Sequence, residues 1–204
     1  PDDLVAGMQV GQTAAELQQL LAQKKMQLMV NPWYPDSTLG GMVSANISGP
    51  NRMNMGGLRD SLIGIEYING RGELVKAGGK VVKNVAGFDL CRLMVGSRGT
   101  LGIIVEATFK LLPLPESESL IQKECNSLGE VEKLLEQILA SDLQPCILDL
   151  HRINGQPLTL VTGFSGATAD VEAQTGAVQN IGLANKATLS YDEAFRCDTH
   201  RTES

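Results

Sequence analysis

The sequence predicts an α+β protein built as two successive units, and three observations carry that reading. Apolar and polar residues alternate with the period of a strand along residues 101–111. A strand–helix–strand–strand–helix–strand order follows Glu116. Between them Pro113 and Pro115 interrupt the chain, which places a domain boundary between residues 1–115 and 116–204. The 204 residues, 43% of them hydrophobic, suffice for one large domain or two small ones with buried cores.

Residues 4–10 read as a strand. Thr13 and Glu16 then have the spacing of a capping box, in which hydroxyl and carboxylate satisfy the first free N–H groups of a helix whose apolar face is Leu17, Leu20 and Leu21. Over residues 31–50 the composition shifts to Pro, Gly, Ser and Asn. The stretch 38–49 holds too much glycine for an ordinary packed helix and reads as backbone brought close to something. Two β-prone runs, 61–68 and 73–77, flank Asn69-Gly70-Arg71-Gly72, where Asn-Gly and Gly supply positive φ for a hairpin.

Residues 88–95 predict a short buried helix, since Phe88, Leu90, Cys91, Leu93, Met94 and Val95 are apolar, with Gly96 as its stop. In the following strand Leu101, Ile103, Val105, Ala107, Phe109 and Leu111 share one face, and Glu106, Thr108 and Lys110 the other. Past Glu116 come a strand (119–123), a helix (128–140), a strand (146–151), a turn at Asn154-Gly155, a strand (158–164), a helix (168–181) and a last strand near Ala187. That order suits a split βαβ, ferredoxin-like α/β sandwich. No internal repeat or low-complexity segment occurs, and the polar tail after Ser190 is assigned to no element.

Composition excludes several function classes. A formal net charge of -6 with both signs scattered disfavours nucleic acid or an anionic bilayer and favours a small molecule or a protein. Cys91, Cys125, Cys146 and Cys197 lie far apart, without the spacing of a zinc or iron–sulfur site, and read as reduced, buried cysteines. Two distant histidines and no clustered carboxylates predict no metal site. No apolar run approaches the ~18 residues that span a bilayer, and Pro1-Asp2-Asp3 is not the basic start of a signal peptide. The start at Pro and the end without a closing element read as a fragment.

The chemistry is expected at two glycine-bearing regions. In the first, Gly40, Gly41, Ala45 and Gly49 alternate with Thr38, Asn46 and Ser48, combining close backbone approach with hydrogen-bonding groups, as a diphosphate or a flavin edge requires. In the second, residues 83–89 lead to Gly96-Ser97-Arg98-Gly99-Thr100-Leu101-Gly102, which runs straight into a strand. Either one alone has a plain reading as a turn that needs positive φ; their joint occurrence points to one ligand.

Four stretches, in order and spacing, resemble the FAD-linked oxidases of the vanillyl-alcohol-oxidase type, and within them the FAD-binding subunits of glycolate oxidases. These are residues 35–50, Leu58-Arg59-Asp60, Lys83-Asn84-Val85-Ala86-Gly87-Phe88-Asp89-Leu90 and residues 96–104. The resemblance covers residues 3–113 and continues more loosely through the sandwich order and Asp192-Glu193-Ala194-Phe195. It implies a PCMH-type FAD-binding domain, its second subdomain, over residues 1–115, and a cap or substrate domain over 116–204. It further implies that a pyrophosphate-loop subdomain precedes Pro1 and that the family's C-terminal stretch follows Ser204.

The cofactor it implies is FAD, held by Pro35, Thr38, Leu39, Gly40, Gly41, Ala45, Asn46, Ser48, Gly49, Gly99, Gly102, Ile103 and Ile104, largely through main-chain atoms. The activity it implies is oxidation of a 2-hydroxy acid, glycolate, with a second flavin subunit and an iron–sulfur subunit as partners. The location is cytoplasmic, or peripheral to the inner membrane through those partners. Arg98 stands where related oxidases often carry an acidic residue.

No catalytic residue is assigned. His151 is either a base for the hydroxyl proton or a hairpin histidine; His200 and Arg201 either grip a carboxylate or belong to a polar tail. Arg59 and Asp60 either pair beneath the flavin or end an element. Lys83 either faces the flavin ring or makes a structural ion pair.

Overall fold

The computed structural model describes residues 4–31, 36–79, 88–152, 157–183 and 185–187. Contacts divide the chain into two compact units, Pro1–Leu114 and Pro115–Ser204.

The first unit runs β1 (Val5–Gln9), α1 (Ala14–Ala22), β2 (Met26–Leu28), α2 (Leu39–Ala45), α3 (Arg52–Met55), α4 (Leu58–Ser61), β3 (Leu62–Ile68), β4 (Leu74–Gly78), α5 (Leu90–Met94) and β5 (Ile103–Pro113). Its strands pair in the order β1-β5-β3-β4, all antiparallel, and β2 extends the ladder at the far end of β5. Ile65, Tyr67, Ala107, Phe109 and Leu111 supply one face of this sheet to the core, and Leu17, Leu39, Met42, Leu58 and Met94 supply the helices. Each such buried side chain contributes about 1.5–3 kcal/mol, which is what holds short helices of low intrinsic stability in place.

The capping box forms: Glu16 N–H donates to Thr13 Oγ1 at 3.2 Å and Thr13 N–H to Glu16 Oε2 at 2.8 Å. Ala14 rather than Leu20 completes the buried stripe with Leu17 and Leu21, and Leu20 is half exposed. Residues 39–45 contradict the expectation that glycine prevents a packed helix. They form α2, capped by Thr38, with Leu39, Met42 and Val43 fully buried, while Gly40 lies against Val10 at the end of β1 and Gly41 is exposed.

The hairpin forms between β3 and β4, but Asn-Gly does not turn it. Among residues 69–73 only Gly72 has positive φ (78°), while Asn69 Oδ1 accepts from Arg71 and Glu73 N–H. Gly72 N–H donates to Asn69 O and Asn69 N–H to Glu73 O, a turn closed by a glycine bulge. The helix expected over 88–95 shrinks to α5. Cys91, Met94 and Val95 are buried, but Phe88 is 93% exposed and Leu93 is exposed too, so the segment is buried on one side only.

The alternation in β5 holds only in part. Ala107, Phe109 and Leu111 face the core, but Glu66 pairs with Glu106 while Tyr67 pairs with Ile104, so Val105 is an extra residue. This bulge reverses the faces upstream of it: Ile104 packs on the core and Ile103 is 69% exposed.

The second unit runs β6 (Ser117–Cys125), α6 (Leu128–Leu139), β7 (Ile147–His151), β8 (Leu158–Gly166), α7 (Thr168–Asn180) and β9 (Asn185–Ala187). Its antiparallel sheet has the order β7-β8-β6-β9, the split βαβ arrangement. Val131, Leu134 and Ile138 of α6 and Val171 and Val178 of α7 pack on Ile121, Leu160 and Phe164 of the sheet. Leu120, Ile147 and Val161, which alternate with those sheet residues, form a separate buried cluster with Cys146.

Candidate functional site

The site is built where the chain leaves α2 and where it enters β5. Asn46 ends α2 in the left-handed conformation (φ 57°), and Gly49 is also left-handed (φ 77°). Gly96, Arg98 and Gly99 turn the chain ahead of β5 with φ of 82°, 50° and 77°. Two backbone bonds join these turns: Gly96 N–H donates to Val43 O and Arg98 N–H to Ser44 O, each at 2.9 Å. Arg59 Nη2 donates to Val95 O at 3.4 Å, so this arginine buttresses the second turn, while Asp60 accepts from Gly57 N–H at 2.9 Å. Arg59 and Asp60 therefore work on separate backbone groups.

Thr38, Gly40 and Ile104 line a groove of about 660 Å³ together with Gln9, Glu66 and Glu106, a volume within the range of small-molecule sites. Of the expected residues, the groove is lined by Thr38 and Gly40 at the start of α2 and by Ile104 in β5, whereas Asn46, Ser48, Gly49, Gly99 and Gly102 are not part of its lining. Glu66 is held by Lys76 across the β3–β4 pair at 2.6 Å.

The amide donors are distributed differently from expectation. At the start of α2, Leu39 N–H donates to Gln12 O at 2.9 Å, Gly40 N–H to Val10 O at 3.0 Å and Gly41 N–H to Thr38 Oγ1 at 3.2 Å. These groups are spent inside the protein. A Cβ on Gly40 would stand 3.0 Å from Val10 Cγ2, so this glycine lets the helix lie against the end of β1. Leu39 is a core residue. By contrast, among the described residues the amides of Ser48, Gly49, Gly99 and Leu101 have no partner.

Ser48 Oγ accepts from Leu58 N–H at 3.1 Å and keeps its own proton to donate, as does Thr38 Oγ1. Ser97 Oγ is buried without a partner among the described residues. Gly102 (φ 155°) is required by packing: a Cβ there would lie 2.4 Å from Ile68 O. Ile103 points away from the core, and Ala45 and Asn46 are exposed.

Pro35, residues 83–87, Asp192-Glu193-Ala194-Phe195, His200 and Arg201 lie outside the described residues. His151 ends β7 in the second unit, its Nε2 3.6 Å from Asp149 Oδ2. Among the described residues no group of three or more His, Cys, Asp or Glu side chains is gathered as for a metal, and no helix is long and apolar enough to cross a membrane. Gln9, Glu66 and Glu106 escaped the sequence reading. Each sits on the polar side of an alternating strand, and only the cross-strand register Gln9–Glu106–Glu66 brings them together.

An antiparallel sheet with helices packed on its core face, and two left-handed turns bonded to each other through the main chain, define a class. Residues 1–78 match the family model described as FAD binding domain. The chain belongs to the FAD-linked oxidase family, its first unit has the PCMH-type FAD-binding fold, and its cofactor is FAD.

Within that family, the glycolate oxidase subunit GlcE of Escherichia coli (strain K12) is 35% identical over 147 residues, 71% of this chain and 41% of that protein. The glycolate oxidase subunit GlcD of Bacillus subtilis (strain 168) is 38% identical over 125 residues, 61% of this chain and 26% of its own. The solved alkyldihydroxyacetonephosphate synthase shares the fold, with a TM-score of 0.77 over 95% of this chain and 42% of its own at 21% identity. The chain therefore spans less than half the length of these relatives.

The residues present fit FAD in a particular way. Unpartnered amides at Ser48, Gly49, Gly99 and Leu101 suit acceptors, and the carboxylates of Glu66 and Glu106 suit hydroxyl or amino donors but repel a diphosphate.

Proposed function

We propose that this chain is the FAD-binding part of a 2-hydroxy-acid oxidoreductase of the glycolate oxidase type. Glycolate loses its hydroxyl proton and a hydride from the carbon that bears it, leaving glyoxylate. Bound FAD supplies the two-electron acceptor for that hydride. The observation that carries the reading is the pair of backbone bonds that lays the end of α2 against the 96–99 turn, because it brings the two glycine-bearing regions side by side.

In this reading Thr38, Asn46 and Ser48 hydrogen-bond the cofactor with side chains, and Ser48, Gly49, Gly99 and Leu101 do so with amides. Pro35, Leu39, Gly40, Gly41, Ala45, Gly102, Ile103 and Ile104 shape the surface around it. Residues 1–115 form the FAD-binding domain and 116–204 a cap over the substrate. Electrons leave through a second flavin subunit and an iron–sulfur subunit, in the cytoplasm or at the inner membrane through those partners.

A second reading is a non-catalytic assembly subunit that keeps the flavoprotein fold. It is favoured by the titratable lining of the groove, which is Glu66, already held by Lys76, and Glu106. The visible spectrum of the purified full-length protein separates the two. A flavin band bleached by glycolate supports the oxidoreductase. A colourless folded protein that takes up no added FAD refutes it and leaves the assembly role.

A further inference from the structure

The turn between β3 and β4 carries Asn69-Gly70, a pair whose chemistry the FAD reading leaves unused. An asparagine followed by glycine can lose its side-chain amide to its own backbone, because no Cβ shields the nitrogen that must attack. The fold does not shield Gly70 either. The residue is exposed, a Cβ built on it would meet nothing within 4 Å, and among the described residues its N–H has no partner.

The Asn69 side chain, by contrast, is held at both ends. Its Oδ1 accepts from Arg71 N–H at 2.9 Å and from Glu73 N–H at 3.0 Å, and its Nδ2 donates to Glu73 Oε2 at 2.9 Å. The Asn69 main chain closes the same turn, its N–H donating to Glu73 O and its carbonyl accepting from Gly72 N–H, each at 3.0 Å. Swinging Cγ onto Gly70 N breaks the three side-chain bonds, so the reaction waits on local opening of the turn.

The product cannot restore those bonds. Gly70 N forms a bond to Asn69 Cγ, the Cγ–Nδ2 bond breaks, and the amide leaves as ammonia with the proton that Gly70 N gives up. Water then opens the succinimide ring at one carbonyl to an aspartate or at the other to an isoaspartate, and no oxidant or reductant is needed. In the aspartate a carboxylate oxygen replaces the Nδ2 donor and faces Glu73 Oε2, so two like charges stand where a hydrogen bond stood. In the isoaspartate the main chain runs through the former side chain, and the carbonyl that accepts from Gly72 N–H leaves the backbone. Either product loosens the turn that fixes the register in which Lys76 meets Glu66 and Leu74 meets Ile68. Glu66 and Leu74 both line the groove.

We propose that Asn69-Gly70 is a self-modification site, kept intact by the Glu73 latch while the turn is closed, and that its conversion to aspartate or isoaspartate unlocks the β3–β4 hairpin.

The test incubates the full chain in mildly alkaline buffer, folded and in urea. The peptide that contains Asn69 is followed by chromatography and mass spectrometry, which separate it from Asn154-Gly155. Conversion at Asn69 should be about tenfold slower, or more, in the folded chain than in urea. Glu73→Ala should speed it severalfold in the folded chain and leave the rate in urea unchanged, whereas Glu73→Gln, whose amide oxygen still accepts, should stay near the parent. Converted protein and Asn69→Asp should both melt below the parent. Equal rates in folded and unfolded parent, or no conversion in either, overturn the proposal. So does a Glu73→Ala protein that converts at the parent's folded rate, or an Asn69→Asp protein with a Tm at or above the parent's.

Discussion

Replacing Gly40 tests whether glycine in α2 serves the protein or the ligand. The Cβ of Gly40→Ala would lie 3.0 Å from Val10 Cγ2 and 3.2 Å from Val10 Cβ, where carbon atoms prefer about 3.5–4.0 Å. Val10 is buried and stiff about χ1, so it cannot swing aside, and overpacking of this kind costs about 1–3 kcal/mol. The better helix propensity of alanine returns about 1 kcal/mol, which leaves a net loss of about 1 kcal/mol. Val10→Ala alone loses buried contacts, but in the double variant it vacates the space that the new methyl needs. Urea titrations of the four proteins should give a double variant more stable than the sum of the single effects predicts by about 1–2 kcal/mol. Additive effects, or a Gly40→Ala protein as stable as the parent, would refute the claim that close packing on β1 is what places glycine here.

Four further outcomes are expected. Gly102→Ala should cost about 3 kcal/mol or more, read as a lowered denaturation midpoint, because its Cβ would stand 2.4 Å from a main-chain oxygen, Ile68 O, that has no room to move. Thr38→Ala should cost about 1 kcal/mol of stability through loss of the α2 cap, with Thr38→Ser close to the parent in the same titration. The Glu16 carboxyl is held below its ordinary value of 4.5, chiefly by the Thr13 amide and then by its hydroxyl. Its stabilising effect is therefore complete above that value and is lost as pH falls through the lower folded value. Glu16→Gln should be less stable than the parent at neutral pH and indistinguishable from it at about pH 2. Burial, aided by the charge of Asp89, raises the Cys91 thiol to about 11, so it should resist alkylation at pH 8 until the protein is unfolded, as mass spectrometry of labelled peptides would show.

Local signals in the sequence suffice where one short-range interaction decides the outcome. Thr13 and Glu16 cap α1 because both partners lie within one turn, and the βαββαβ order of the second unit forms as expected. Such signals do not suffice where burial depends on distant chain. Phe88 was expected inside and Leu20 on the core face, but hydrophobicity does not say which apolar residue finds a neighbour. Asn-Gly suggested a left-handed pair, yet the Asn69 side chain captures two nearby amides and leaves Gly72 alone to take positive φ.

For the site, the residue types and their order along the chain were legible: glycines and small polar residues at 38–49 and again at 96–104. Their division of labour was not. Gly40 and Gly102 meet protein atoms, because β1 and β3 come from elsewhere in the chain to press on them. One added residue in β5, Val105, decides that Ile104 rather than Ile103 turns inward.

The sequence by itself determined the two-unit α+β plan, the caps and the two runs of glycine and small polar residues, since each depends on neighbours within a few residues. Only the tertiary structure decided which amides are already spent, which glycines serve packing, and that Gln9, Glu66 and Glu106 share a groove with Thr38 and Ile104. Those facts follow from strand register and from the close approach of segments far apart along the chain, and no local pattern encodes a register.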